Sequence, residues 1–546
     1  MSDGRDDHNG AGPLTGDAIE DTTAEGGDDP AAFRRLLRSG AMDGRRARRA
    51  ASWAVSQVWS HFHKDGSCWQ DAVDLLCEIA AHEDPSVADA GHEALFSSLV
   101  EPLGDSFRAD YGRLYDMLFV RVIDRCRRLR ASAELDQELE RFGLHTAHDL
   151  LERKRLLDER ARHPAADIGT LKKVILLSRV TLGAEVAVTS VLIARLLNAH
   201  PQARCVVLGA PVLRGLFAGD DRISIHEIEY RNSEGLLARL QRWRDGVRAR
   251  DEEIRGLQRR EFLVIDPDSR LTQLGLLPVV EDEERYLFFP SRTYGETGCQ
   301  SIGQLTAHWA GRIVGGGEAV HPVLRLAEED WGWARTLRGH LEETGAKHVV
   351  TMNFGVGGNP AKRLSEAFER DLIVGLLDSG SRVILAKGVT PEETARSERL
   401  LARIAARGRS CREIDSGREG NVPGPDELNA DVLAWSGGVG RYCALIGSSD
   451  EYIGYDSSGQ HIAAALGTPT IDIFAYSPFP LFMSRWRPFG PGRIHLVDAT
   501  GTGEGRGSSG HRRILQEVLE RHQANRGLRG GDRQPPAGSE PKGQEK

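Results

Sequence analysis

Two kinds of hydrophobic pattern follow one another along the chain. From residue 31 to about residue 163, apolar positions recur at helical spacing, as at Ala51, Val58 and Phe62, and no strand pattern interrupts them. After Pro164, short runs that are apolar throughout alternate with helical segments. Such runs are typical of strands buried on both faces of a parallel sheet. The pattern therefore predicts an all-α segment followed by an α/β region.

The α/β region contains two alternating sets of strands and helices. Buried strands are predicted at residues 173–178, 205–209, 223–228 and 262–265 in the first set, and at residues 348–352, 382–386 and 470–474 in the second. Two Rossmann-like domains in tandem usually hold their ligand in the cleft between them, at the carboxyl ends of the strands. We therefore expect the glycine turn after each domain's strands to face a common cleft.

Composition separates the folded part of the chain from its two ends. Residues 1–30 and 523–546 are rich in Gly, Pro and charge and have too little apolar content to form a core, so we expect disordered tails there. A chain of 546 residues is too long for one hydrophobic core. The predicted domains are a helical accessory domain at residues 31–165 and Rossmann-like domains at residues 166–320 and 321–522.

Charge and cysteine usage argue against several classes of function. The formal charge of −9 argues against a general nucleic-acid binder. The seven cysteines show no CxxC spacing, so neither a zinc site nor a disulfide framework is indicated. No run approaches the roughly 18 apolar residues of a membrane span, and the N-terminus does not resemble a signal peptide. We expect a cytoplasmic protein that requires no metal and no cofactor.

One basic run leaves peripheral membrane contact open. Residues 45–49, Arg-Arg-Ala-Arg-Arg, precede Trp53 and Trp59, a combination that can lie on an anionic surface at the inner face of a membrane. Such a run is more often a solvated helix face, and both tryptophans fit an apolar stripe that faces a core.

A candidate phosphate-binding stretch lies near the end of the second set. Asp456, Ser457 and Ser458 are residue types that cap helices, and they precede an apolar helix that ends at Gly467. Gly459 allows a backbone or a ligand to come close. The first-turn amides of such a helix have no partners within it and lie at the positive end of its dipole, so they can hold a phosphate. The alternative is an ordinary capped helix.

The stretch from Asp456 to Pro469 closely resembles the C-terminal signature of glycosyltransferase family nine, the heptosyltransferases of lipopolysaccharide assembly. Three further pieces agree with that family in order and spacing: residues 173–192 with its first strand and glycine turn, residues 263–266 with its N-domain strand ending in Asp, and residues 353–363 with its glycine loop and Lys-Arg pair. The resemblance covers about residues 171–498 and leaves the helical N-terminal third unexplained.

The resemblance implies a GT-B architecture and an inverting, metal-independent transfer from a nucleotide-diphospho sugar to a glycan, lipid-linked or protein acceptor in bacterial glycan or lipopolysaccharide biosynthesis. The donor-binding residues that it implies are Gly357, Gly358, Asn359, Lys362, Asp456, Ser457, Ser458, Gly459, Gln460 and His461, and the acceptor-side candidates are Arg179, Gly183 and Asp266. Without a metal, a cation and helix amides must stabilise the leaving diphosphate. Lys362 and residues 457–460 fit this role.

Three of these residues have a second interpretation. His461 either contacts the sugar diphosphate or forms a hydrogen bond within the first turn of its helix. Asp456 is expected to shape the loop as a cap rather than to catalyse. Asp266, in Asp266-Pro267-Asp268, also looks like a metal-binding Asp-x-Asp, but a turn at the end of a strand is the better interpretation.

The predicted catalytic base departs from the family pattern. The family's catalytic Asp follows the first glycine turn, where this sequence has Gly183-Ala184-Glu185, with one extra residue and Glu in place of Asp. We predict that Glu185 is the base, the alternative being a surface carboxylate in the first turn of a helix. This departure keeps two other functions open: a sugar-nucleotide epimerase of the same architecture, and a non-catalytic scaffold that binds nucleotide sugars.

Overall fold

The computed structural model describes residues 29–162, 168–228, 230, 235–315, 320–357, 359–415, 422–501 and 508–527. Residues 1–28 and 528–546, which make up most of the two predicted tails, lie outside the described residues, and so does the donor candidate Gly358. Within the described part, an all-α domain precedes two α/β domains, each built on one parallel sheet. This is the fold class that the sequence predicts, with GT-B architecture.

The first domain is helical throughout its described length. Its helices are α1 (Pro30–Arg38), α2 (Gly44–Asp65), α3 (Gln70–Ala80), α4 (Pro85–Leu95), α5 (Glu101–Asp105), α6 (Ala109–Arg127), α7 (Ala133–Arg141) and α8 (Ala147–Arg162). Asp43 and Asp84 begin α2 and α4 by accepting hydrogen bonds from first-turn amides. A π-helical segment, Phe96–Val100, joins α4 to α5.

The second domain contains a five-stranded parallel sheet in the order β3-β2-β1-β4-β5. Its elements are β1 (Lys173–Leu177), α9 (Leu182–Ala184), α10 (Ser190–Ala199), β2 (Arg204–Gly209), α11 (Arg214–Phe217), β3 (Ile223–Glu227), α12 (Leu236–Glu253), β4 (Phe262–Asp266), β5 (Tyr286–Phe288) and α13 (Ile302–Val314). A π-helical segment, Glu185–Thr189, lies between α9 and α10. The four predicted strands are confirmed, and the short β5 was not predicted.

The third domain contains a seven-stranded parallel sheet in the order β12-β11-β10-β6-β7-β9-β8. Its elements are α14 (Glu328–Glu343), β6 (Val349–Asn353), α15 (Glu366–Asp378), β7 (Arg382–Ala386), α16 (Pro391–Ala405), β8 (Cys411–Asp415), α17 (Pro425–Leu428), β9 (Val432–Ser436), α18 (Val439–Gly447), β10 (Glu451–Tyr455), α19 (Ser458–Leu466), β11 (Thr470–Phe474), α20 (Phe482–Trp486), β12 (Ile494–Asp498) and α21 (Ser508–Arg526). The last helix extends beyond residue 523, because His522 and Asn525 bind the buried Glu451.

Apolar cores join the three domains to one another. Leu240 and Trp243 of α12 belong to the same buried cluster as the helices of the first domain. A second cluster runs from Val174 of β1 to Ile462 of α19 and includes Phe107 of the helical domain. The helical domain therefore packs against the α/β domains over a continuous apolar surface.

Two features bear on membrane contact. The helical stretch Leu182–Ala199 is long and apolar enough to cross a membrane, but 72% of it is buried inside the protein. Trp53 packs against Phe33, and Trp59 packs against Tyr111. The tryptophans thus take part in packing, and the neighbouring arginines of residues 45–49 are exposed. Membrane contact through this helix remains a prediction.

Candidate active site

Each sheet has a switch point where the strand order reverses, and ligands of open α/β sheets bind at such points. In the second domain it lies between β1 and β4, and in the third between β6 and β10. The loops that follow these strands carry the predicted motifs. A Cβ added at Gly183, after β1, would lie 3.2 Å from Cδ2 of His461 and 3.4 Å from Cα of Ser458. The two glycine turns therefore meet across the cleft, as predicted.

Lys362 and Asp456 form the charged pair of the donor side. Nζ of Lys362 lies 2.7 Å from Oδ2 of Asp456, and Nε2 of Gln460 donates to Oδ1 at 2.8 Å. Lys362 is held by residues of the β10–α19 turn and keeps 22% of its side chain exposed. The sequence suggested that Asp456 caps the helix backbone. In the structure its carboxylate instead positions the Lys362 ammonium.

The first turn of α19 is open. Ser457 occupies the N-cap position in an extended conformation, and its side chain makes no capping hydrogen bond. The side chains of Ser457 and Ser458 are partly accessible, whereas Gly459 and Gln460 are buried. Since no side chain caps this turn in the described part of the chain, its amides are available to an anion beside Lys362.

His461 is a neutral imidazole at the contact between the domains. Burial, and next the Lys362 ammonium, lowers its pKa to about 3. Its Nε2 lies 3.4 Å from Nε2 of Gln460, and its ring is 6.2 Å from that of Trp486. With its Cδ2 against Gly183, this side chain has the properties of an uncharged packing and hydrogen-bonding group.

The β6 loop is arranged by the carboxylate of Glu393, which the sequence did not single out. Glu393 Oε1 accepts hydrogen bonds from the amides of Val356 and Gly357. Gly357 has a φ of 62°, in the left-handed region that favours glycine. Asn359 caps the short turn Pro360–Lys362 by accepting from the amide of Ala361 at 3.1 Å. These two predicted donor residues shape the loop that presents Lys362.

Glu185 is placed at the cleft but faces the interior of its own domain. Its side chain is fully buried, and its carboxylate accepts hydrogen bonds from Ser178 Oγ at 2.5 Å, Thr189 Oγ1 at 2.5 Å and the Val180 amide at 2.9 Å. Burial raises its pKa, and the hydroxyls of Ser178 and Thr189 oppose that shift. The alternative of a surface carboxylate is wrong, and the geometry gives a substrate no access for the predicted role as base.

The π-helical segment Glu185–Thr189 explains this orientation. A π-bulge accommodates one residue more than the α-helix around it. The segment begins at Glu185, immediately after the residue that is extra relative to the family pattern. The insertion is thus taken up inside the helix, where Thr189, four residues later, binds the carboxylate.

The acceptor-side candidates Arg179 and Asp266 are also occupied within their domain. Asp266 is fully buried and accepts from the Ser269 amide, Thr272 Oγ1 and Tyr286 OH, so it anchors the end of β4 and is not placed to meet an acceptor. Arg179 donates to the carbonyl of Pro267 at 2.6 Å and to Ser291 Oγ. Burial, and next Arg292, lowers the pKa of Arg179 to about 9. The strand-end turn predicted at residues 266–268 is confirmed.

Sequence reasoning missed the contribution of the helical domain to the cleft. Phe107 lies 6.1 Å from Trp486, and Tyr111 lies 6.2 Å from Phe479, measured between ring centroids. Between these helices and the second domain is a cavity of about 410 Å³, with Gly104, Arg292 and Asp116 in its wall. Burial raises the pKa of Asp116 to about 7. No motif marks these residues, because their role depends on how the domains pack.

Two buried polar groups of the third domain were also missed. Asp472 of β11 is fully buried, and among the described residues neither of its carboxylate oxygens has a hydrogen-bond partner. A charged residue inside a strand of apolar residues could have indicated it. His348, Glu451 and His522 have ligand atoms within 4.8 Å of one another. Glu451 is already bound by His522 at 2.5 Å and Asn525 at 2.6 Å, at the opposite end of β10 from the cleft. This cluster forms a buried hydrogen-bond network.

Three solved structures are similar to this chain at low sequence identity. They are E. coli ADP-heptose lipopolysaccharide heptosyltransferase II (17% identity, 65% of this chain and 98% of that one, TM-score 0.42), a glycosyl transferase family 9 protein from Veillonella parvula (12%, 68% and 94%, 0.43) and E. coli heptosyltransferase WaaC with ADP (15%, 64% and 99%, 0.39). No family model and no curated protein matches the chain. The fold therefore rests on the strand orders described above, and likenesses this distant say nothing about the reaction.

Proposed function

We propose that this protein is a glycosyltransferase that moves a sugar from a nucleotide-diphospho sugar to a glycan, lipid-linked or protein acceptor, with inversion and without a metal. The proposal depends above all on one observation: Lys362, fixed 2.7 Å from Asp456, lies beside the uncapped first turn of α19 and opposite Gly183. A fixed cation next to free helix amides suits a diphosphate that gains negative charge as the sugar departs.

The resemblance of residues 456–469 and 353–363 to family nine supports the same assignment. Both stretches surround the same point of the cleft in the structure, since Lys362 of the second contacts Asp456 of the first. This contact supports the proposal that the described donor candidates act together on the third domain. A cytoplasmic location fits a donor of this class, because nucleotide sugars are charged and do not cross a bilayer unaided.

The test is incubation of the full chain with ADP, UDP and GDP sugars, with and without candidate acceptors. Release of a nucleoside diphosphate is expected, and the product's anomeric configuration, determined by NMR, should be inverted. Activity should persist in EDTA; loss in EDTA with recovery in manganese would contradict the metal-independent part of the proposal.

Other outcomes identify the alternatives. A new sugar nucleotide without diphosphate release would indicate an epimerase. Thermal stabilisation by a nucleotide sugar without turnover would indicate a binding scaffold. This alternative is favoured by the Glu185 carboxylate, which already accepts three hydrogen bonds from its own domain.

A further inference from the structure

A short segment of the helical domain lies at the cleft, around Asp105 at the end of α5. On one side of Asp105, a Cβ added at Gly104 would lie 3.1 Å from both Nη2 of Arg270 and Nε of Arg292, which belong to the second domain. On the other side, Phe107 packs on Trp486, which in turn packs on His461 of the third domain. Asp105 is therefore flanked by groups that contact both walls of the cleft.

The backbone around Asp105 is held in an unusual conformation. Phe107 has a φ of 56°, in the left-handed region that a bulky side chain rarely adopts, and its ring is 6% exposed. A strained residue of this kind persists only where the surrounding packing fixes it, and such residues cluster at functional sites. The turn after α5 is thus fixed by its contact with Trp486.

The carboxylate of Asp105 differs from that of Glu185 in its contacts. In the described part of the chain, no hydrogen bond or ion pair holds the Asp105 carboxylate, and the residue keeps part of its surface accessible. Burial raises its pKa; Arg292, Arg270 and Lys362 oppose this shift, and Asp456 adds to it. The charged pair of the donor side, Lys362 and Asp456, therefore affects the pKa of Asp105. The carboxylate oxygens of Asp105 remain free to accept a proton from a substrate.

A cavity of about 410 Å³ lies next to the segment that carries Asp105. Its wall includes Leu103 and Gly104, which immediately precede Asp105 in the chain, and Arg292 of the second domain, which lies against Gly104. Its volume is in the range of small-molecule sites, about 300–1,000 Å³. An acceptor bound between the helical domain and the second domain would lie beside the segment that carries Asp105.

We propose that Asp105, contributed by the helical domain, is the general base of the proposed transferase reaction, and that Glu185 is a buried structural residue. The inference rests on the proposed function. The Asp105 carboxylate takes the proton of the acceptor hydroxyl, and the hydroxyl oxygen forms a bond to the anomeric carbon. The bond from that carbon to the diphosphate oxygen breaks, and its electron pair leaves with the nucleoside diphosphate beside Lys362. The proton passes from Asp105 to solvent after transfer.

The test compares Asp105→Asn with Glu185→Gln in the full chain, with Asp89→Asn as a control on an exposed carboxylate of the same helical domain. The assay measures nucleoside diphosphate release, with water or an acceptor as the nucleophile, and donor affinity by calorimetry. Asp105→Asn should lower kcat by about 100-fold or more while donor Kd changes by less than about threefold. It should also remove the fall in kcat toward acidic pH, which Glu185→Gln and Asp89→Asn should retain.

Chemical rescue separates a lost base from a damaged fold. In Asp105→Ala, sodium formate should restore at least about tenfold of the lost rate, because a small carboxylate can occupy the vacated position. Formate should not raise the rate of the Glu185→Gln variant.

The outcomes are distinguishable. If the unaltered chain turns over no nucleotide sugar, the proposed function fails and this inference fails with it. If the unaltered chain is active and Asp105→Asn stays within threefold of its kcat, only the assignment of Asp105 is overturned. Loss of activity in Asp105→Ala without formate rescue would likewise contradict it.

Discussion

The two sides of the cleft use their polar groups in different ways. On the second domain, Glu185, Arg179 and Asp266 direct their hydrogen bonds into their own domain. On the third domain, Lys362 keeps part of its surface exposed beside the first-turn amides of α19, which no side chain of the described residues caps. The polar groups of the first side are therefore already occupied, whereas the second side leaves a cation partly accessible.

The difference shows that a motif's position in a fold does not determine the direction of its side chains. Both turns lie at switch points. The π-helical segment nevertheless directs the Glu185 side chain into the interior of the second domain, where three donors form hydrogen bonds to its carboxylate. Under the proposed function a catalytic carboxylate must then come from elsewhere, and the proposal assigns this role to Asp105 of the helical domain, beside the contact of Phe107 with Trp486. Four changes, from the largest expected effect to the smallest, test this contrast.

Lys362→Met should have the largest effect. It removes the cation beside the α19 amides, and loss of one preorganised group at a site of developing charge costs about 100-fold in kcat. The measurement is the initial rate of nucleoside diphosphate release with the best donor of the panel. Lys173→Met is the matched control: Lys173 is 24% exposed and paired with Glu253, at the start of β1 and far from the carboxyl ends of the strands. Equal losses in both variants would contradict a ligand-binding role.

Gly183→Val should reduce activity by about tenfold, because even its Cβ would lie 3.2 Å from His461 and the two turns must move apart. The matched control is Gly339→Val in α14, since no described atom lies within 4 Å of an added Cβ at that position. Small-angle scattering should detect the more open arrangement of the domains. Full activity with unchanged scattering would mean that the contact is not part of the working cleft.

Glu185→Gln should affect stability more than rate. The amide cannot accept all three hydrogen bonds of the carboxylate, so the free energy of unfolding should fall by about 1–3 kcal/mol. The rate of the folded enzyme should change by less than about threefold. Chemical denaturation and single-turnover kinetics measure the two effects, and a stable but inactive variant would return the role of base to Glu185.

Asp472→Asn should give the smallest effect, a flatter dependence of stability on pH. Burial, with a smaller contribution from Asp456, raises the pKa of Asp472 well above its usual range. A carboxyl group whose pKa is higher in the folded state binds its proton more tightly there, so stability declines as pH rises from about 4 toward the folded pKa. Thermal midpoints between pH 4 and 8 should decline less in the variant. Parallel curves for both proteins would show that Asp472 does not titrate in this range.

The fold of residues 171–498 was easier to predict from the sequence than that of the rest of the chain. Parallel strands buried on both faces leave continuous apolar runs, which is why β1, β2, β4, β7 and β11 could be recognised. The short β5 and the strands β8, β9, β10 and β12 were not recognised. The places of strands such as β9, which lies between β7 and β8, depend on pairing with distant strands.

The candidate site was predictable only on its donor side. Lys362, Asp456 and the first turn of α19 lie in continuous motifs, so their residue types and spacing indicated a shared chemistry. Asp105 and Phe107 lie in no motif, and their place at the contact between the helical and third domains follows from the packing of Phe107 on Trp486.

The sequence by itself determined the three-part organisation, the two parallel sheets and the residues suited to a diphosphate, because local apolar periodicity and helix-capping chemistry act within about 20 residues of chain. Only the tertiary structure decided which carboxylates already have hydrogen-bond partners within the protein. Glu185 finds one of its partners across a π-helical turn, whereas Gly104, next to Asp105, lies against Arg270 and Arg292, more than 160 positions later in the chain. Contacts at such separation depend on how whole domains pack, and no local pattern encodes them.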